Sequence, residues 1–251
     1  MQQQNGRSDE LGRAFAGSQL QMQIYTARRS DALSQAVIGA LGLDEASARI
    51  DWRSPREKDY FAEPMDGAFL QAVDVKDDER KLPAFWPASG PRWDALGLLD
   101  TGNGEPTILL VEAKSYPAEM FGSGCTASDP RSVALIDASL RRAKDYFGVD
   151  QAADWKGPLY QYANRLAHVY FLREVLGREA VLVNACFVGD AEPRSTTRGA
   201  WDTALQDVKR GLGFNGRAVP HTVDVFLPCH PRDLLLEPLA AVPVERGTPR
   251  T

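Results

Sequence analysis

Two side chains stand where chemistry would need them. Glu112 and Lys114 are one residue apart at the end of residues 106–115, P-T-I-L-L-V-E-A-K-S. Residues 107–111 are β-branched or leucine without a break, the pattern of a strand buried on both faces. Strand side chains alternate with period two, so Glu112 and Lys114 leave the strand on the same face. The plain reading is that the strand surfaces there and both charges meet water. The chemical reading is a metal site, with the carboxylate as ligand and the ammonium beside the reacting water or phosphate.

Acid-x-lysine triplets also occur at Asp74/Lys76, Glu79/Lys81, Asp154/Lys156 and Asp207/Lys209. Only Glu112/Lys114 terminates a hydrophobic strand. It also follows a second strand-like stretch, residues 92–99, which carries Asp94 near its start. Between the two lies D-T-G-N-G at residues 100–104, and its Asn-Gly pair reads as a hairpin turn. Pairing the two strands sets Asp94 alongside Glu112 and Lys114.

This Asp…Glu-x-Lys arrangement on a hairpin resembles the PD-(D/E)xK phosphodiesterases, the restriction-endonuclease-like superfamily. Asp94, Glu112 and Lys114 carry the resemblance, and Trp93 replaces the family's proline before the aspartate. The likeness extends over residues 61–187. It implies an α/β fold, the restriction-endonuclease-like three-layer sandwich with a central mixed sheet and helices on both faces. It also implies a magnesium-dependent nuclease (manganese is an alternative ion) acting on nucleic acid, DNA in the first instance. Asp94 and Glu112 would hold the ion, Lys114 would assist the water, and the products would carry a 5′-phosphate and a 3′-hydroxyl.

Members of that superfamily also place an acid on a helix ahead of the hairpin. Residues 61–73 read as a helix, with Met65, Phe69, Leu70 and Val73 on one face and Pro64 near its start. Glu63 is the best match for the further metal-binding acid, with Glu57 and Asp66 as rivals. A solvated first-turn carboxylate favoured by the helix dipole is the other reading. Beyond the hairpin, residues 159–176 form a helical pattern in which Gln161, Asn164, Arg165 and His168 make one polar stripe. Amides and arginine at that spacing suit phosphate or backbone contacts. Gln161 resembles a catalytic glutamine of some branches, although Arg165 stands where the best-known version has tyrosine. Ser115, next to Lys114, joins Asn164, Arg165 and His168 as a candidate substrate contact.

The remaining elements must position these groups. Residues 18–26 alternate as a strand, 30–41 as a helix and 50–52 as a short strand. A helix is expected over 131–147, a strand over 180–187, a helix over 201–212 and a closing strand over 222–227. Arg141, Arg142 and Lys144 suit either phosphate contact or the helix dipole, the dipole being preferred. One domain over 18–237 is expected, with a flexible tail at 1–17 and an irregular one at 238–251.

The chain has 251 residues, 43% hydrophobic and 25% charged, as an ordinary globular domain would. No apolar run is long enough to span a bilayer and no secretory signal is present, so no membrane partner and a cytoplasmic location are expected. Three well-separated cysteines argue against a disulfide framework. Cys229 and His230 lack further ligands at zinc spacing. The net charge of −5 opposes broad nonspecific nucleic-acid binding but leaves room for a locally basic groove. Two other classes stay open: a nucleic-acid-binding module without turnover, and an interaction protein in which Glu112 and Lys114 form a structural ion pair.

Overall fold

The computed structural model describes residues 6–77, 80–190 and 195–237. In chain order its elements are α1 (Gly17–Arg28), α2 (Ser30–Ala40), β1 (Arg49–Ser54), α3 (Gly67–Ala72), α4 (Lys81–Phe85), β2 (Ala95–Asp100) and β3 (Thr107–Lys114). There follow α5 (Pro130–Phe147), α6 (Tyr160–Tyr170), β4 (Ala180–Val188), α7 (Arg198–Gly211), β5 (Thr222–Pro228) and α8 (Asp233–Leu236). Single 3-10 turns occupy Glu57–Asp59 and Pro117–Met120, and a π-helical turn, Phe171–Val175, extends α6.

The five strands form one sheet in the order β1-β2-β3-β4-β5. The first three pair antiparallel, whereas β3–β4 and β4–β5 are parallel. Parallel neighbours need crossover connections, and these are α5 with α6, and then α7. Alternation along each strand feeds two cores. Leu96, Leu98, Ile108, Leu110, Leu182 and Cys186 pack with residues of α3 to α7 on one face. Ala95, Leu99, Leu109, Val111, Ala113, Val183 and Ala185 pack with α1 and α2 on the other. The architecture is therefore a mixed five-stranded sheet with helices on both sides. β3 is buried on both faces, as its unbroken apolar run requires.

Local chemistry accounts for several boundaries. Asp129 caps α5 by accepting from Ser132 N at 2.8 Å, Pro130 occupies the first turn, and Gly148 closes the helix at φ 63°, which glycine adopts without strain. In β2, Gly97 faces Trp52 of β1. A Cβ there would meet the Trp52 ring at 3.1 Å, so the glycine makes room for the indole.

Several sequence expectations are corrected. Residues 18–26 belong to helix α1, not to a strand. The polar–apolar alternation arises because Gln21 and Gln23 are buried and bonded to neighbouring loops. Gln21 exchanges two bonds with the His230 backbone at 2.8 and 2.9 Å. Gln23 accepts from Ala14 N at 2.8 Å and donates to Gly12 O at 3.0 Å. Leu20 and Ile24 then face one cluster while Met22 and Tyr25 face the sheet, the spacing of a helix with two buried sides.

Within the expected 1–17 tail, residues 6–17 are described, and Ala14 is buried against α1. Asp9 takes hydrogen bonds from Arg13 and Arg232, and Arg232 also donates to Ala14 O. Residues 1–5 and the 238–251 tail lie outside the described residues. Lys144 does not present itself to phosphate: it is buried, and its ammonium donates to the carbonyls of Gln151 and Ala153. The expected helix over 61–73 begins only at Gly67, leaving Glu63 on the preceding loop.

Candidate active site

The hairpin delivers the three residues of the motif to one place. Ala95 pairs with Val111, so Asp94, one residue before β2, falls opposite Glu112. Both lie on the α5–α6 side of the sheet, because Leu96 and Leu110 point that way. Asp94 Oδ2 accepts from Ala113 N at 2.7 Å, which anchors the carboxylate across the hairpin. Lys114 donates a short hydrogen bond to Glu112 Oε1. The side chains of Lys114 and Glu112 are only 14% and 8% exposed, so the pair sits at the bottom of a recess.

Glu112 has a second cation. Arg165 of α6 places both Nε and the Nη2 amine 2.7 Å from Glu112 Oε2. Its remaining donors reach Asn164 Oδ1 at 2.7 Å and Arg92 O at 2.9 Å. The guanidinium also lies over the Trp93 ring, 5.2 Å from its centroid, a cation–π contact. Trp93 is fully buried and carries this arginine.

These contacts drive the acids apart. Burial, with the charges of Glu112 and Glu63 added, pushes Asp94 up to about 8, against the pull of Lys114. For Glu112, burial alone would also raise the carboxyl, but Arg165 and Lys114 more than offset it and hold it below its usual range. Burial opposes the charge on Lys114, yet Glu112 and Asp94 keep its ammonium above the ordinary lysine value. Two adjacent carboxylates with opposite shifts are a frequent mark of functional sites.

Glu63 faces this cluster from its loop. Gln19 of α1 donates to Glu63 Oε1 at 3.1 Å, and burial raises the carboxyl, with Glu112 adding to the rise and Arg92 opposing it. The rivals are spent elsewhere. Glu57 pairs with Arg28 at 2.9 Å, and Asp66 accepts from the backbone of Ser89 and Gly90. Among the described residues, no group of three or more His, Cys, Asp or Glu side chains is close enough to hold a metal ion together. Asp94 and Glu112 share the sheet face, and Glu63 acts on both through its charge.

The polar stripe of α6 divides. Gln161 is half-buried and borders, with Glu112, Lys114 and Asn184, a cavity of about 10 Å³, room for about one water. Gln161, Asn164 and Arg165 also line a groove of about 880 Å³ between residues 86–92 and 122–132. His168 corrects the expectation of a substrate contact: it is 1% exposed, enclosed by Phe69, Phe85, Trp86 and Trp93, and bonded to Asn164 O. Burial drives it down to about 4, so it is neutral. Ser115 is likewise closed off at 0% exposure, its carbonyl accepting from Thr196 and its amide donating to Glu119.

Four residues near the site, Asn184, Asp224, Lys209 and Glu119, were missed in the sequence. Asn184 pairs with Glu112 across β3–β4 and with Asp224 across β4–β5, so a polar row crosses an otherwise apolar sheet. The Asn184 amide donates to Tyr162 OH at 2.8 Å and to Asp224 Oδ1 at 2.7 Å, and Lys209 completes the row on Asp224 Oδ2. Glu119, after β3, feels the Lys114 charge, although burial raises its carboxyl. A lone amide inside V-L-V-N-A-C-F was the available signal for Asn184.

The fold and site define an α/β protein with a buried Asp/Glu/Lys cluster at the end of a central hairpin. Compared with family models, with curated proteins and with solved structures, the chain shows no significant match. No helix among the described residues is long and apolar enough to cross a membrane.

Proposed function

We propose that this chain is a divalent-metal-dependent nuclease of the PD-(D/E)xK type. It would hydrolyse phosphodiester bonds, in DNA first of all, on a restriction-endonuclease-like sandwich. The observation that carries this reading is the convergence of Asp94, Glu112 and Lys114 on one sheet face in a recess, with burial and Glu112 raising Asp94 to about 8. A carboxylate held against a neighbouring carboxylate is relieved by a cation.

The donor set fits Mg²⁺ or Mn²⁺. It is all oxygen, and Mg²⁺ is commonly held by one or two carboxylates, keeping several waters and taking up substrate phosphate oxygens. Asp94 and Glu112 would hold the ion, with Glu63 close enough in charge to tune it. When bound, the ion polarises the phosphodiester and acidifies a water. Lys114 spends one of its three N–H donors on Glu112. The other two are available to orient the attacking water or to take charge growing on a phosphate oxygen. Arg165 holds Glu112 in place, and Gln161 can accept or donate at the same small cavity.

One observation favours a second reading. Both Glu112 oxygens are already bonded to cations, as a structural ion-pair network would have them, and a binding module of this fold would need no turnover. Incubating the protein with labelled DNA and RNA in Mg²⁺, Mn²⁺ or EDTA separates the two. Metal-dependent cleavage lost on Asp94→Asn supports the nuclease. Metal binding without cleavage moves the assignment to the binding module.

A further inference from the structure

Four neighbouring strands carry a polar side chain at one level of the sheet. Asp94 stands opposite Glu112, Glu112 beside Asn184, and Asn184 beside Asp224. Leu96, Leu110, Leu182 and Cys186 keep the rest of that face apolar. A buried amide in such a core is costly unless its groups are bonded. Asn184 commits both of its N–H donors, to Tyr162 OH at 2.8 Å and to Asp224 Oδ1 at 2.7 Å. A carboxylate can only accept, so Asp224 fixes which end of the amide turns towards it. Lys209 fixes Asp224 in turn, 2.7 Å from its other oxygen.

That leaves the Asn184 oxygen as an acceptor beside the cavity of about 10 Å³ that Glu112, Lys114, Gln161 and Tyr162 also line. The Tyr162 oxygen accepts from Asn184, so its own O–H remains to donate. Lys114 keeps two N–H donors beyond the one on Glu112, and the Gln161 amide adds a second acceptor. Two donors and two acceptors around the space of about one water are the partner set that a buried water takes.

Resting on the nuclease reading, we propose that one water occupies this cavity and bridges Lys114 Nζ to the Asn184 oxygen, which makes Asn184 a positioning residue for the ammonium. The three N–H groups of an ammonium point in fixed tetrahedral directions. With one on Glu112 and one on the water, the third is aimed, and this third meets the attacking water or the phosphate. Asp224 and Lys209 hold the amide from the partly exposed end of the row.

A crystal structure of the wild-type protein tests the water site apart from activity. A water within about 3.2 Å of both Lys114 Nζ and Asn184 Oδ1 is expected, and a well-ordered cavity without one overturns the proposal. Cleavage of labelled DNA with Mn²⁺ tests the role. Asn184→Leu, close to the amide in size, should lower kcat about tenfold, part of the loss of about 10²-fold expected for Lys114→Ala, with KM and metal affinity unchanged. Tyr162→Phe keeps the ring and removes one donor to the water, so it should lower kcat in the same way even where Asn184→Leu does not fold. In a Lys114→Ala background neither substitution should lower the rate further. A merely structural amide would cost the same in both backgrounds, and that result, or an unchanged kcat, overturns the positioning role. Wild-type protein that holds the water yet cuts no nucleic acid overturns the nuclease reading and the role in the reaction, but not the water site.

Discussion

Arg165 and Glu112 are bonded side chain to side chain although 53 residues separate them, Nε to Oε2 at 2.7 Å with both groups under a tenth exposed. A buried carboxylate is costly unless paired, and here Arg165 and Lys114 each take one oxygen. The arginine is fixed in turn by Asn164, Arg92 and the Trp93 ring.

Removing one partner of such a pair strands the other. Arg165→Met should destabilise the protein by about 3 kcal/mol, read as a fall in the denaturation midpoint. Adding Glu112→Gln should recover part of that loss, since the uncompensated charge is gone. Equal, additive losses in the double variant would show that the pair does not act as described.

Asp94 makes stability depend on pH in a stated direction. Its ordinary value is 3.8 and burial with Glu112 lifts it to about 8 in the fold. The folded state therefore binds the proton more tightly than the unfolded chain. This contribution is fully present below about pH 4 and lost as pH rises through about 8. Without divalent ions, the melting temperature should fall over that interval, and less so in Asp94→Asn, whose amide does not ionise. Added Mn²⁺ should restore the wild type at pH 8 but not Asp94→Asn. A wild-type and Asp94→Asn pair with parallel pH curves would refute the assignment.

His168 is buried, neutral and ringed by aromatics. His168→Ala should lower the melting temperature through the cavity it leaves. Activity per folded molecule should stay within about twofold, because the imidazole touches no reacting group. A pH–rate profile that loses a limb in this variant would show otherwise.

How much of this was legible depended on where the information lay. The hairpin and its charged face were readable, because turn-forming residues separate two strand patterns and the period-two alternation places Asp94 against Glu112, although the connection is a long loop closed by the Leu99–Thr107 pair and not a tight Asn103-Gly104 turn. Glu63 was chosen over Glu57 and Asp66 as a helical acid; it lies on a loop before α3, bonded to Gln19 and within electrostatic range of Asp94 and Glu112. The α1 residues misled because buried glutamines imitate a strand's alternation. His168 misled because helical spacing gives a face without saying whether that face meets solvent or the aromatic core. Arg165 was seen as part of a stripe, but its bond to Glu112 is a tertiary contact that no local pattern encodes. The row Glu112–Asn184–Asp224 exists only once β3, β4 and β5 lie side by side.

The central claim is that Lys114 works on the reaction and not merely on Glu112. The direct measurement is the cleavage rate of Lys114→Ala beside wild type at saturating Mn²⁺, with metal affinity measured on the same samples. Since an ammonium cannot ligate a metal, the account predicts metal affinity retained and cleavage lowered by about 10²-fold or more. Lys114→Arg should also fail, as a planar guanidinium does not replace a compact point charge. A Lys114→Ala protein that binds metal and cleaves at the wild-type rate would contradict the account.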